Sequence, residues 1–305
     1  MIHRLMPFIF LGALFLVCPG LLFGADGQEI TETFKDGGID WSTGTAWAQG
    51  MHAPNEQAGR PASPEAREHY VNRAVGAARK NLYAILQKLT IHGDITGGHV
   101  MDNTREILAQ VDLMLLSTPV TKKRFLTDGS VEARVSLPLR GAFSQLILPE
   151  EIRQIDPIKP LFSSPTPKNL AHVAYTGLIV DARGIDAVPS LAPRVVTESG
   201  EEVYGPPIIS REYAVQRGVA AYERSLAQAG QGPSLGENPL MVTGIGTTAE
   251  ARTDIMISSE DAARIRSDVA HTTFLSQCRV IIVLDAPAPR TQNNASPRRL
   301  GQSTK

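Results

Sequence analysis

Five prolines, Pro149, Pro157, Pro160, Pro165 and Pro167, fall between Leu148 and Lys168. Each holds φ at about −65° and lacks a backbone N–H, so neither a helix nor a central strand runs through the stretch. Residues 149–170 therefore read as a linker that divides the chain into two parts, each obliged to find partners for its own apolar faces. At about 100–200 residues per domain, a chain of 305 residues provides for two modest domains.

A composition of 42% hydrophobic and 20% charged residues excludes a wholly disordered chain and a multi-pass membrane protein. A net charge of −1 argues against a dedicated nucleic-acid binder, so no nucleic-acid partner is expected. Residues 26–289 carry 25 Lys and Arg against 31 Asp and Glu, while residues 288–305 contain Arg290, Arg298, Arg299 and Lys305 and no acid. That basic end reads as a solvated, disordered tail, with peripheral contact to membrane or cell wall as the functional alternative.

At the other end, His3 and Arg4 precede an uncharged run from Leu5 to Ala25, the pattern of a secretory signal over residues 1–25. Gly24 and Ala25 supply small residues for a cut there. Retention as an anchor and lipidation at Cys18 are the alternatives, the latter opposed by Val17 and Pro19 where lipoprotein signals differ. The expected location is the periplasm, free or associated with the outer membrane. The cysteines are Cys18 and Cys278, so cleavage leaves one thiol and no internal disulfide.

Residues 26–61 are rich in Gly, Thr and polar side chains and read as a mostly irregular arm, with one or both of Trp41 and Trp47 docking on a domain. Ser63-Pro64-Glu65 opens a helix with a hydroxyl cap, a proline in the first turn and an acid at the positive end of the dipole. Val71, Val75, Ala78, Leu82, Ile85 and Leu89 recur at helical spacing up to Gly93. A second helix, capped by Asp102 or Asn103, places Ile107, Leu108, Val111 and Leu115 on one face. Asp128-Gly129 then joins two strands, the second alternating Val131, Ala133, Val135 and Leu137 inward. Residues 62–148 thus form an N-terminal α+β domain.

Within 171–287, strands are expected over Tyr175 to Asp181, Arg194 to Thr197, Leu240 to Thr243, Asp254 to Ser258 and up to Asp285. Helices are expected over Arg211 to Ala229 and from Ser259 to about Gln277. This is a second α+β domain.

No motif carries convincing chemistry, and no catalytic residue, cofactor or metal site is assigned. Gly232-Pro233-Ser234-Leu235-Gly236 fits G-x-S-x-G, with His271 and Asp254 or Asp261 completing a triad on paper, but a nucleophile elbow needs a strand before the serine and a helix after it. Gly244 to Ala249 follows a strand, as a dinucleotide fingerprint does, yet a polar stretch rather than a helix follows. His92, Asp94, His99 and Asp102 are competent ligands in a glycine-rich loop. Asp181 and Arg183, at a strand end, are candidate interaction residues, against the reading that they pair with each other or with Glu202 to fix a turn. Arg194 and Tyr204 complete the candidate set.

Ala77-Ala78-Arg79-Lys80-Asn81-Leu82-Tyr83, on a helix preceded by Ala66-Arg67 and followed by a hairpin, resembles a bacterial envelope family over about residues 60–140. That family includes small outer-membrane lipoproteins and the N-terminal domain of flagellar assembly protein T, a periplasmic ring component. The segments Tyr175 to Gly184, Pro193-Arg194-Val195, Glu198 to Gly205 and Cys278-Arg279-Val280 look like a module seen in uncharacterised exported proteins of the same group. The resemblance implies a non-enzymatic structural or assembly component of an envelope or flagellar complex, with envelope or flagellar proteins as partners, or a second copy of the chain. A periplasmic hydrolase or metal enzyme, and a ligand- or wall-binding module, are the alternatives.

Overall fold

Ser63 does cap the long helix: its Oγ accepts from Ala66 N at 3.2 Å, and the adjacent backbone and Ser63 hydrogen bonds hold the Glu65 carboxyl below its ordinary value. The computed structural model describes residues 29–53, 63–152, 175–232, 234–267 and 269–285. The N-terminal part contains strands β1 (Thr31–Phe34), β2 (Gly37–Asp40) and β3 (Thr45–His52), then helix α1 (Pro64–Lys88). A short hairpin, β4 (Thr90–His92) and β5 (Ile95–Thr96), leads to α2 (Gly97–Asn103) and α3 (Arg105–Ser117). Strands β6 (Val120–Phe125) and β7 (Val131–Pro138) follow, then α4 (Ala142–Ile147). The five-stranded antiparallel sheet runs β1-β2-β3-β7-β6.

The arm is therefore not irregular. Its three strands pair in continuous register with the expected hairpin, Ala46 facing Leu137 and Ala48 facing Val135. The inward side chains of β3 are Ala46, Ala48 and Gly50, small enough to let α1 approach closely, which is why no hydrophobic alternation announces the strand. A Cβ at Gly50 would stand 2.1 Å from Ala78 N and 2.5 Å from the Ala74 carbonyl oxygen. Two helix limits also move. The helix α1 ends at Lys88, and Gly93 instead takes φ +51° in the β4–β5 turn. Thr104, not Asp102 or Asn103, precedes α3, and those two residues end α2.

The C-terminal part holds β8 (Gly177–Asp181), β9 (Arg194–Thr197), β10 (Glu202–Tyr204), α5 (Arg211–Arg217), β11 (Ala221–Glu223) and α6 (Leu226–Gly230). It continues through β12 (Pro239–Thr247), β13 (Asp254–Ile257), α7 (Ser259–Arg266), α8 (Val269–Ser276) and β14 (Val280–Val283). These strands make one mixed sheet of seven in the order β10-β9-β13-β12-β8-β14-β11, with β12, β8, β14 and β11 mutually parallel. The single helix expected over Arg211 to Ala229 is broken. Gly218 leaves α5 at φ +86°, and β11 adds to the sheet edge, burying Tyr222, before α6 begins.

The fold is α+β. Most buried residues of both parts belong to one cluster, from Leu82 and Val135 to Leu178 and Ile282. Backbone bonds cross between the parts: Leu191 N to Thr90 O at 3.0 Å, Ala192 N to Ile91 O at 2.8 Å and Gly141 N to Val215 O at 2.8 Å. The Arg211 guanidinium donates to the carbonyls of Gln145 at 2.8 Å and Pro149 at 2.9 Å, tying the start of the proline-rich stretch to α5. The rest of that stretch, the expected signal and the basic tail lie outside the described residues. Among the described residues no helix is long and apolar enough to cross a membrane.

Candidate functional site

The carboxyl ends of β12, β8, β14 and β11 lie along one edge of the large sheet, where open sheets with parallel strands gather their ligands. Asp181 ends β8. Arg183 folds back on it with Nε to Oδ1 and Nη2 to Oδ2 both 2.7 Å, a bidentate pair that holds the Asp181 carboxyl below its ordinary value. Gly184, at φ +76°, donates its N–H to Asp285 Oδ2 at 2.7 Å, so the turn after β8 is locked to the end of β14. Two of the four candidates thus close on each other and shape a turn.

Beside this turn a cleft of about 760 Å³ opens between the two parts of the fold. One wall is Glu29 to Thr33 with Trp41, and the other is Ala187 to Pro189 with Arg224, Leu284 and Asp285. Trp41 is 4% exposed and meets Tyr222 edge-on, ring centroids 5.9 Å apart. Burial pushes the Glu32 carboxyl above its ordinary value, and the neighbouring Trp41 indole opposes that rise. Arg224, 8% exposed, donates to Glu29 O at 2.9 Å from Nη2 and to Asp285 O from Nη1, and burial lowers its pKa. Its guanidinium is held by carbonyls, and the carboxyl groups of Glu29, Glu32 and Asp285 outnumber this one cation in the lining.

The other two candidates stand elsewhere. Arg194 and Asp254 are cross-strand partners on β9 and β13, joined by Nε to Oδ2 at 3.0 Å and by the Nη2 contact to the same oxygen. Nearby, burial raises the Glu202 pKa, Arg194 working against it. Burial and then Arg194 lower that of His92, which reaches this cluster from β4. Tyr204 is fully buried and donates its hydroxyl to Val219 O, and burial drives its pKa well above the usual tyrosine value. The expectation that Tyr204 is an interaction residue is thus corrected. It is a core side chain, inward because β10 packs on the short stretch before β11.

Ser234 lies in a turn with α6 before it and β12 after it, the reverse of a nucleophile elbow. Asp254 is engaged by Arg194 and Asp261 by Arg264 at 2.8 Å, while the His271 side chain is outside the described ones. Gly244 and Gly246 sit inside β12 at a bulge against β13, so no helix opens there. His92, Asp94, His99 and Asp102 are spread over β4, its turn and α2, and among the described residues no three His, Cys, Asp or Glu side chains gather as a metal site. The sequence reading missed Glu32, Trp41 as a cleft wall and Arg224. Arg224 lay inside an expected helix, and its partners are carbonyls 61 and 195 residues away, which no local pattern signals.

Fold and site together define an α+β protein with a mixed seven-stranded sheet and a cleft at the carboxyl ends of its parallel strands. Residues 177–286, the whole of that sheet with its helices, match the family model of the second domain of Treponema pallidum Tp0624. No curated protein matches the chain.

Proposed function

We propose that the chain is an exported, periplasm-facing, non-enzymatic binding protein that serves as a structural or assembly component of an envelope or flagellar complex. The observation that carries this reading is how its charges are used. Asp181 with Arg183, Asp254 with Arg194, Asp186 with Arg252 and Asp261 with Arg264 brace turns and strands. The large cleft is lined by Glu29, Glu32, Asp285, Arg224, Trp41, threonines and aliphatic groups, with no histidine, cysteine or lysine among its described lining residues. Such a cleft receives a hydrogen-bond-donating or basic segment of a partner and offers no nucleophile beside a base. The apolar run at residues 5–25 and the resemblance of residues 60–140 to envelope proteins support export and assembly.

Fractionation of cells carrying a tagged copy tests the reading. Sedimentation with envelope and flagellar basal bodies, surviving salt and mild detergent, is the expected result. Complete release by osmotic shock as a monomer would overturn it.

A further inference from the structure

At the opposite edge of the large sheet, where β11, β12 and β14 begin, a separate cleft of about 470 Å³ is lined by Arg140, Arg217 and Arg279 together with Ser234, Gly236 and Cys278. We propose that this cleft binds a phosphoryl-bearing anion. The inference is independent of the carboxylate-lined cleft and of any assembly role.

The three guanidinium groups come from three different elements: Arg140 follows β7, Arg217 ends α5 and Arg279 immediately precedes β14. Among the described residues no acidic side chain lines the cleft, and none of the three arginines forms an ion pair. Elsewhere Arg124, Arg183, Arg194, Arg252, Arg264 and Arg266 are each closed by a carboxylate, and Arg211 and Arg224 by carbonyls. Among the described residues Arg279 Nε is buried with no hydrogen-bond partner, an unfavourable state that an acceptor in the cleft would relieve. The Arg217 guanidinium carbon lies 5.1 Å from the centre of the Tyr213 ring.

The backbone is shaped to present these groups. Arg140 lies against Gly218, where a Cβ would stand 3.6 Å from its Nε, and the neighbouring Gly141 N–H is held by Val215 O at 2.8 Å. That pins Arg140 beside Arg217 across the seam between the two parts. Cys278 takes φ +55° and closes α8 with Cys278 N to Leu275 O at 2.9 Å and Arg279 N to Phe274 O at 3.0 Å. A non-glycine residue in this position stores strain, and here the turn delivers Arg279 directly from the helix end into the cleft. Burial pushes the Cys278 thiol up to about 12, so the floor carries no negative charge to compete with an anion. Gly236, at φ +77°, turns the loop so that the exposed Ser234 hydroxyl stands at the rim.

A planar guanidinium matches a tetrahedral oxyanion through paired N–H donors, and a phosphoryl group with charge near −2 and three acceptor oxygens uses several such forks at once. A carboxylate would occupy one fork and leave the others open. The surrounding body is acidic, so the cleft is a local positive site on an anionic surface.

The test is calorimetric titration of the purified full chain with pyrophosphate, inorganic phosphate and citrate, each against sodium chloride of equal ionic strength. The expected result is saturable one-to-one binding of pyrophosphate or phosphate with Kd below about 1 mM. Citrate should bind at least about tenfold more weakly, and Arg279→Gln and Arg217→Gln should each weaken pyrophosphate binding by about tenfold or more. Arg217 is exposed, so that variant reports even where Arg279→Gln fails to fold. Arg124→Gln, at an exposed pair with Glu132 on the small sheet, should bind as the parent does. Absence of saturable binding, equal loss in Arg124→Gln, binding unaltered in Arg217→Gln, or a preference for citrate would each overturn the proposal.

Discussion

Arg194, a candidate interaction residue by sequence, pairs in the structure with an aspartate 60 residues along the chain. The pair is asymmetric: the Asp254 side chain is 1% exposed and the Arg194 side chain 38%. Almost all the desolvation cost therefore falls on the carboxylate, which keeps only the Thr253 hydroxyl, at 3.1 Å, when the arginine is gone. Arg194→Leu is expected to cost about 3 kcal/mol in urea unfolding. Adding Asp254→Asn should return most of it, because the amide brings no buried charge. A single variant within about 0.5 kcal/mol of the parent would show that β9 and β13 are held by their backbone ladder alone.

At the level of elements, what the sequence disclosed depended on side-chain size. Helix α1 was legible because Val75, Leu82 and Ile85 are large and recur at helical spacing behind a serine cap. The hairpin of β6 and β7 was legible from Asp128-Gly129 and from the alternation of Val131, Ala133 and Val135. Strand β3 was illegible because close helix packing demands small inward residues, which carry no periodic signal. The break in the expected helix after Arg217 was missed because Gly218 and the apolar residues after it fit a helix and an edge strand equally well until β14 is known to lie alongside. Arg224 and the wall at Glu32 were missed for a related reason: the cleft exists only once both parts are assembled. The small-residue contact gives a paired prediction. Gly50→Ala forces a methyl group into the backbone of α1 and should destabilise by at least about 3 kcal/mol. Gly76→Ala, on the same helix with nothing within 4 Å of the added carbon, should stabilise by about 0.5–1 kcal/mol. Thermal unfolding of the two variants beside the parent checks both signs, and equal shifts would mean that α1 rides freely over β3.

On the scale of the whole molecule, the proline-rich stretch suggests two domains joined by a linker, while most described buried residues of both parts share one cluster. The family match begins at Gly177, the first residue of β8, and covers the large sheet alone. That sheet is nevertheless built into its neighbour. Backbone bonds join Leu191 and Ala192 to β4, Gly93 N binds Thr253 Oγ1 at 3.0 Å, and Trp41 packs on Tyr222 beside the Arg224 clamp. Separating the parts would expose apolar surface and break the Arg224 hydrogen bonds to Glu29 O, so opening the seam should cost about as much as unfolding either part. The chain carries two tryptophans, Trp47 on the outer face of the small sheet under the Arg134 guanidinium and Trp41 at the seam. In a Trp47→Phe variant, emission therefore reports the seam alone, and far-UV circular dichroism reports helices on both sides of it. The two urea transitions should coincide. Emission that shifts at lower urea, with helix content intact, would show that the parts come apart while each stays folded, and would make the 760 Å³ cleft a hinge instead of a fixed groove.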